Sequence, residues 1–288
     1  MSRSHSETPG QAKRAPILII GAHRSGTTAT ARALALLGLQ LGQRLDSHHE
    51  SKAMQRLHED YLKSVGAAWH HPGPLLERVA TAEGERDGAE YLRSHAQREF
   101  SPLFGYRQNL KGWWLRARLR SGAAWGWKEP RTTLFAPAWL QIFPEALFID
   151  VVRHPLAVAT SIRARELKFR AEGDRPTPGL DQLDYCLRLA LTYVEAGERM
   201  AGRTRNYRRV RFEEIQANPG RVLEGLANFC GLRSTRARLA QAAASIKPEN
   251  SRWRDGLPEE TARQLMASHP TVETLGYSWR RLSVRSDN

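Results

Sequence analysis

The sequence predicts an α/β fold in which helices flank one doubly wound, mostly parallel sheet. Short apolar runs of strand length, 16-PILII-20 and 146-ALFIDVV-152, alternate with longer segments of helical periodicity. The 288 residues are 41% hydrophobic and 26% charged, which is ordinary for a globular chain of one larger or two small domains. Together these features favour a single sheet with crossover helices.

The first predicted elements are a strand, a tight turn and a helix. The strand covers about 16–21, and an Ala/Leu-rich helix at about 26–37 ends before Gly38, a residue favoured just after a helix. Helical patterns broken by Pro and Gly fill about 46–110, which we predict to be a helical insertion. A short strand follows at 125–128.

The second half of the chain continues the alternation. A helix at 134–142 is closed by Pro144, and the most apolar strand follows at 146–152. The next helix begins at Pro155, because proline suits the first helical position. A loop is predicted at 171–179 and an amphipathic helix at 181–201. A strand that leads into a helical start follows at 207–215, and a last helix at 219–230.

Segment composition gives the predicted organisation and location of the chain. We predict a disordered N-terminal tail over 1–14 and one domain over 15–288. The tail has no apolar signal-peptide core, and the longest apolar runs are too short to span a membrane. Cys186 and Cys230 can neither build a disulfide scaffold nor form a clustered zinc site, so a cytoplasmic location is expected.

The charge balance indicates an anionic ligand. Forty-four Lys and Arg against thirty Asp and Glu give a net charge of +14 and a pI near 10.4. Such a charge attracts nucleic acid, acidic lipid, nucleotide phosphates or an acidic substrate. The basic residues are spread from Lys13 to Arg281 and mostly fit solvated faces, so only basic residues placed by a motif indicate a site.

A glycine-containing turn between the first strand and helix predicts a phosphate-binding loop. Glycines let the backbone close around an anion, and free N–H groups at the helix start point towards it. Gly21, Gly26 and Thr28 fit the P-loop pattern, whereas Thr27 stands where that pattern has lysine. The positive charge lies at Arg24 instead, so the loop lacks the lysine that reaches a γ-phosphate.

A second anion-binding element is predicted in 148-FIDVVRHPLAVATS-161. Arg153 follows a parallel strand, at the sheet edge where α/β proteins bind ligands. If His154 caps the helix, Ser161 lies about two turns on and near the same face. Arg153 and Ser161 would then hold a second phosphate. Asp150 could be mistaken for a magnesium-holding acid, but the strand continues past it, which favours an ordinary strand position.

These two elements together resemble the PAPS-dependent sulfotransferases, where PAPS is 3′-phosphoadenosine 5′-phosphosulfate. The family's 5′-phosphosulfate loop matches 21-GAHRSGTT-28, and its 3′-phosphate motif matches 153-RHPLAVATS-161. The resemblance covers about 16–257 and is thinnest over 60–120. Further blocks resemble bacterial carbohydrate-type members at 125-WGWKEPR-131, 211-RFEEIQANPGRVLEGLANFCGL-232 and 245-SIKPENSRWRDGL-257.

The resemblance implies a P-loop-like three-layer fold and an enzyme that uses PAPS without a metal. The implied acceptor is a hydroxyl of a carbohydrate or glycolipid-like small molecule, with no specific nucleic-acid partner. The implied cofactor-binding residues are His23, Arg24, Ser25, Gly26, Thr27, Thr28, Arg153 and Ser161. Arg24 replaces the lysine of animal cytosolic members. Ser-Arg-Trp-Arg at 251–254 replaces their Gly-rich phosphate loop, which leaves the roles of Arg252 and Trp253 open.

Sulfuryl transfer also needs positive donors and a base. Charge builds on the bridging oxygen as its bond to sulfur breaks, and Arg24 and the neighbouring loop N–H groups suit that position. The resemblance places Lys128 beside the transferred group and Glu50 at the position of the catalytic base. His48 and His49 stay as alternatives for the base, because an imidazole titrates near neutrality.

Three other interpretations remain open at this point. A P-loop kinase or other NTPase would need the missing loop lysine and a magnesium-holding acid. A nucleic-acid-binding protein would use the +14 charge, although no readout motif is present. A minority interpretation places an acceptor groove at 106–120, where Trp113 and Trp114 lie among basic residues, although such tryptophans are more often core. The histidine doublets at 48–49 and 70–71 lack the i,i+4 spacing that places two metal ligands on one helix face.

Overall fold

The structure of the chain is a computed structural model, and it describes residues 14–42, 45–103, 122–248 and 252–279. Within these residues, neighbouring strands in the order β2-β1-β3-β4 pair in parallel and form one sheet. The predicted parallel α/β sheet is therefore confirmed. The strands are β1 (Ile17–Ile20), β2 (Gly126–Lys128), β3 (Leu147–Val152) and β4 (Tyr207–Arg211).

Helices fill the connections between the strands and cover both faces of the sheet. They are α1 (Thr27–Leu36), α2 (Lys52–Ser64), α3 (Gly73–Arg78), α4 (Ala82–Leu103), α5 (Ala136–Ile142), α6 (Pro155–Ala171), α7 (Leu183–Glu198), α8 (Phe212–Ala217), α9 (Pro219–Phe229), α10 (Arg236–Ala244), α11 (Arg252–Asp255), α12 (Glu259–Ser268) and α13 (Thr271–Thr274). A 3-10 helix at Pro130–Thr133 precedes α5. The helix predicted at 134–142 therefore begins at Ala136, two residues after its predicted start. Pro137 lies in its first turn, where a backbone N–H would have no partner within the helix.

The two faces of the sheet bury alternate residues of each strand, as the two-residue period of a strand requires. Leu18 and Ile20 of β1 join the larger cluster, which packs against α2 and α4 to α7. Ile17 and Ile19 join a second cluster with α1, α9 and α10. Because both faces are covered, the strand reads as a continuous apolar run.

Asp150 is a structural residue of the sheet interior. Its fully buried carboxylate accepts hydrogen bonds from the Tyr207 hydroxyl at 2.7 Å and from Arg209 Nε at 2.8 Å. Burial raises the pKa of Asp150, and the charge of Arg209 opposes that effect. A Cβ on Gly197 of α7 would collide with the same carboxylate, so the helix packs closely there. These contacts agree with the interpretation of Asp150 as a strand residue.

Some predictions fall on residues that the structure does not describe. The predicted tail lies there apart from Arg14, as do the candidate acceptor segment 106–120 and Ser251. Helices α2, α3 and α4 occupy the described part of 46–110, and the division into tail, domain and insertion stays a prediction. Over the described ranges, the search for a helix long and apolar enough to cross a membrane finds none.

Candidate active site

The turn between β1 and α1 has the backbone conformation of an anion-binding loop. Gly21 has φ 134°, Gly26 has φ 103°, and Arg24 between them has φ 71°. A Cβ at Gly21 would collide with the Val151 carbonyl oxygen, and one at Gly26 with the ring of Phe212. Both glycines are therefore required by close approach as well as by backbone angle.

The loop is anchored at its start and presents polar groups at its end. The Gly21 N–H donates to Thr133 Oγ1 at 2.8 Å, which ties the end of β1 to the 3-10 helix. The first helical hydrogen bond of α1 runs from Thr30 N–H to the Gly26 carbonyl at 3.1 Å. The N–H groups before Thr30 therefore lack carbonyl partners inside the helix. Ser25 Oγ is buried and has no hydrogen-bond partner among the described residues.

Three arginines gather around this loop. Arg24 Nε donates to Ser161 Oγ at 2.9 Å, and Arg153 Nη1 donates to the Arg24 carbonyl at 3.4 Å. Burial, followed by the charges of Arg165 and Arg153, lowers the pKa of Arg24. His154 caps α6, because its Nδ1 accepts the Leu156 N–H at 3.3 Å. The structure thus brings Arg153 and Ser161 to the loop itself, with Arg24 between them.

A buried ion pair lies beside the loop, at the end of β2. Lys128 Nζ is 2.7 Å from Glu50 Oε1 and 3.2 Å from both Thr28 Oγ1 and the His48 carbonyl oxygen. The Lys128 side chain is only 1% exposed. Burial lowers the pKa of Lys128, and the charge of Glu50 opposes that effect. The structure therefore brings together Lys128, Glu50 and Thr28, which are far apart in the sequence.

The segment before α2 orients Glu50 and separates the two candidate histidines. Asp46 Oδ1 accepts the backbone N–H groups of His48 and Glu50, both at 2.8 Å. His49 has φ 59°, and its Nδ1 accepts a hydrogen bond from Arg32 Nε at 3.3 Å. Burial, followed by the charge of Arg32, lowers the pKa of His49. His49 is thus engaged by Arg32, whereas His48 and Glu50 line a common cavity.

That cavity opens between the loop and the ion pair and has a volume of about 280 Å³. Its wall includes Trp69, Arg131, Arg165 and Phe169 in addition to Arg24 and Glu50. A larger cavity of about 620 Å³ lies at the other end of the sheet, beside Arg14 and Gly38. We assign chemistry to the smaller cavity, because of the two only this one is lined by Arg24 of the loop and by Glu50 of the ion pair.

His23 lies at the wall of the same cavity. Its ring packs against Trp69, with 4.5 Å between centroids, and lies 6.0 Å from Tyr193. Burial, followed by the charge of Arg131, lowers the pKa of His23 well below 6.5, so the ring is neutral at pH 7. The predicted cofactor contact by His23 stays a prediction, and its side chain faces aromatic neighbours.

A buried polar network behind the cavity was not predicted from the sequence. Trp139 Nε1 donates to His58 Nε2 at 3.0 Å, so Nε2 is an acceptor and the ring proton lies on Nδ1. The Nδ1–H group of His58 then donates to Glu129 Oε2 at 2.7 Å. Arg131 Nη1 donates to Glu129 Oε1 at 2.6 Å. Against the effect of burial, Arg131 and His58 hold the pKa of Glu129 well below its usual range. The network fixes Arg131 at the cavity wall. Glu129 and Arg131 belong to the segment 125–131 that resembles the family, whereas no sequence pattern indicated a role for His58.

Comparison with known proteins settles the family. The sequence model of the Sulfotransferase family matches residues 16–236. The chain belongs to the sulfotransferase family. The sulfotransferase domain of the olefin synthase of Synechococcus PCC 7002 shares 18% identity with this sulfotransferase, covering 95% of this chain and 98% of that chain at a TM-score of 0.50. Mouse sulfotransferase SULT7A1, solved in complex with PAP, shares 12% identity, covering 93% and 90% at a TM-score of 0.51.

These two solved structures share the fold of this sulfotransferase. A search of curated proteins finds no match to its sequence. Among the described residues, no three His, Cys, Asp or Glu side chains gather as metal ligands. Trp125 and Trp127 are buried in the core, as the more common role of such tryptophans predicts.

Proposed function

We propose that this sulfotransferase transfers the sulfuryl group of PAPS to a hydroxyl of a carbohydrate or glycolipid-like acceptor. One observation supports the proposal most strongly. One cavity is lined by Arg24 of the anion-binding loop, by Arg165, and by Glu50, the ion-pair partner of Lys128. Cations for the donor and a carboxylate for the acceptor proton are therefore adjacent, which is the arrangement that sulfuryl transfer requires.

The loop residues fit the anionic groups of PAPS. The N–H groups at the start of α1 and the unpartnered hydroxyl of Ser25 are donors suited to the 5′-phosphosulfate. Arg153 and Ser161 are proposed to bind the 3′-phosphate, and Arg24 the sulfuryl side. Burial lowers the pKa of Arg24 most, and the nearby charges of Arg165 and Arg153 lower it further. A bound anion would relieve this repulsion between positive charges. When bound, PAPS supplies an activated sulfuryl group whose bond to the phosphate oxygen breaks as the acceptor oxygen attacks sulfur.

In this proposal Glu50 is the base and Lys128 the cation beside it. The carboxylate of Glu50 is held by Lys128 at 2.7 Å and by Gln55 Nε2 at 2.7 Å, which fixes its orientation. Taking the acceptor proton neutralises Glu50 and so removes the partner charge of Lys128. The ammonium can then stabilise the oxygen on which negative charge builds, while Arg24 acts from the loop. Base and cation are thus coupled by one short hydrogen bond.

The base assignment is tested by single-turnover transfer from labelled PAPS to a panel of sugar, glycolipid and phenol acceptors. Glu50→Gln keeps size and polarity but cannot take the proton, so its rate should fall about 100- to 10,000-fold. His48→Ala and His49→Ala should retain most activity, as should the exposed control Glu195→Gln. Wild-type rates in Glu50→Gln, with loss in His48→Ala, would move the base to His48. Absence of transfer by the wild type to every acceptor would contradict the proposed activity.

A further inference from the structure

The charges on the cavity wall do not balance. The acidic side chains there already have partners: Glu50 pairs with Lys128, and Glu166 Oε1 accepts Arg170 Nε at 2.9 Å and the Thr177 N–H at 2.8 Å. Asp46 is occupied by two backbone N–H groups and by Gln55. The acids of the wall are therefore compensated within the protein.

The cations of the wall are compensated only in part. Arg131 contacts two carboxylates, Glu129 at 2.6 Å and Glu59 at 2.7 Å. In the part of the chain that the structure describes, neither Arg24 nor Arg165 forms an ion pair. Arg24 belongs to the loop and is assigned above to the donor. Arg165 is thus an unassigned positive charge at the cavity.

Arg165 lines the cavity, and its charge also acts on Arg24 of the loop. It is one turn beyond Ser161 on α6, and its guanidinium stacks over the ring of Phe169 at 5.0 Å. The wall that contains Arg165 also contains Trp69 and Phe169, whereas Arg153 and Ser161 do not line it. The side chain is exposed and supported by an aromatic ring, so it can meet a ligand that enters the cavity.

We infer that the acceptor carries an anionic group, a carboxylate or a sulfate, which Arg165 binds while the acceptor ring lies against Trp69 and Phe169. This inference rests on the proposed function, because it concerns the acceptor of the same reaction. An arginine–carboxylate contact is charge-assisted and can be bidentate, which gives orientation as well as affinity. The acceptor class is therefore an acidic sugar or another acidic ring alcohol.

The cavity volume agrees with one ring and one anionic substituent. At about 30 Å³ for each water displaced, 280 Å³ accommodates about nine water-sized groups. A six-membered ring that bears one carboxylate has about nine heavy atoms, so the ring hydroxyls of a monosaccharide acid would reach the opening of the cavity. A longer acceptor would extend beyond the cavity, with its terminal acidic ring inside.

The test uses protein saturated with PAP, the desulfated form of PAPS, and pairs of probes in which one member has a carboxylate where the other has a neutral group. The pairs are methyl glucuronide with methyl glucoside, methyl galacturonide with methyl galactoside, and 4-hydroxyphenylacetate with 4-hydroxyphenylacetamide. Calorimetric titration should show the carboxylate of at least one pair binding about 10- to 100-fold more tightly. Arg165→Ala should abolish this preference and leave PAP affinity unchanged. Lys168→Ala is the matched control, because Lys168 lies on the same helix and pairs with Glu172 instead.

Four results would overturn the inference while the wild type still binds PAP. These are equal binding of both members of every pair, binding of neither member, a preference that survives Arg165→Ala, or a tenfold loss of PAP affinity in that variant. The last would assign Arg165 to the donor side. Failure of the wild type to bind PAP is a different outcome, which contradicts the proposed function itself and the inference with it.

Discussion

His154, at the start of α6, makes the stability of the protein dependent on pH. The residue is fully buried between the rings of Trp253 and Tyr277, and its backbone N–H donates to Glu213 Oε1 at 2.8 Å. Burial is the main effect that lowers the pKa of His154 from 6.5 to about 4, and the charges of Arg254 and Arg153 act in the same direction. A proton on Nδ1 would also remove the acceptor that caps α6.

The sign and size of the effect follow from linkage. Between pH 6.5 and about 4, the unfolded chain binds a proton at this residue that the folded chain does not. The free energy of unfolding therefore falls as pH falls through this window, and the contribution is absent above it. At about 1.4 kcal/mol for each pH unit, His154 alone lowers the free energy of unfolding by about 3 kcal/mol at pH 4.

Urea unfolding of the wild type and His154→Asn between pH 7.5 and 4.5 measures this contribution. Asparagine can still accept the Leu156 N–H as an N-cap but does not titrate. The wild type should be the more stable at pH 7.5, and its advantage should shrink by about 2.5 kcal/mol at pH 4.5. His71→Asn, at an exposed histidine, should parallel the wild type. Parallel curves for wild type and His154→Asn would refute the reasoning.

Four further variants probe the loop, the neighbouring Arg153 and the ion pair. Arg24→Ala should lower saturated turnover about 100- to 1,000-fold, whereas Arg153→Ala should first weaken PAP binding. Single-turnover rates measure the first effect and calorimetric titration measures the second. Equal losses of PAP affinity in both variants, with unchanged saturated turnover, would contradict these separate roles. Gly26→Ala should lower the free energy of unfolding by about 3 kcal/mol in urea, since φ 103° and Phe212 both exclude a Cβ, and wild-type stability would argue against the loop conformation. Lys128→Met should slow transfer about 100-fold or more with PAP affinity retained, and an unchanged rate would remove Lys128 from the chemistry.

The sheet could be predicted from the sequence because the local pattern of apolar residues identifies its strands. β1 and β3 are buried on both faces, so each is an apolar run bounded by turn residues. The start of α5 was less well predicted. Leu134 and Phe135 form the turn between the 3-10 helix and α5, and their apolar character continues the pattern of the helix although they lie outside it.

The site was predictable where a motif carries its own geometry. Gly21, Arg24 and Gly26 are neighbours in sequence, and their spacing alone describes the loop. Contacts made across the fold gave no such signal. His58 of α2 meets Glu129 and Trp139 of α5 only in the folded chain, because the three residues are far apart in the sequence or lie on separate elements. Arg165 stands out only once the carboxylates around it are known to be paired.

The central claim is that the loop and its arginines bind a 3′,5′-phosphorylated nucleotide without a metal ion. Calorimetric titration with PAP in the presence of EDTA tests it most directly, beside ATP with magnesium and an oligonucleotide at the same ionic strength. The account predicts saturable one-site binding of PAP that EDTA does not change, with affinity lowered by Arg153→Ala. Binding of PAP that disappears on chelation, or tighter binding of ATP with magnesium, would contradict it.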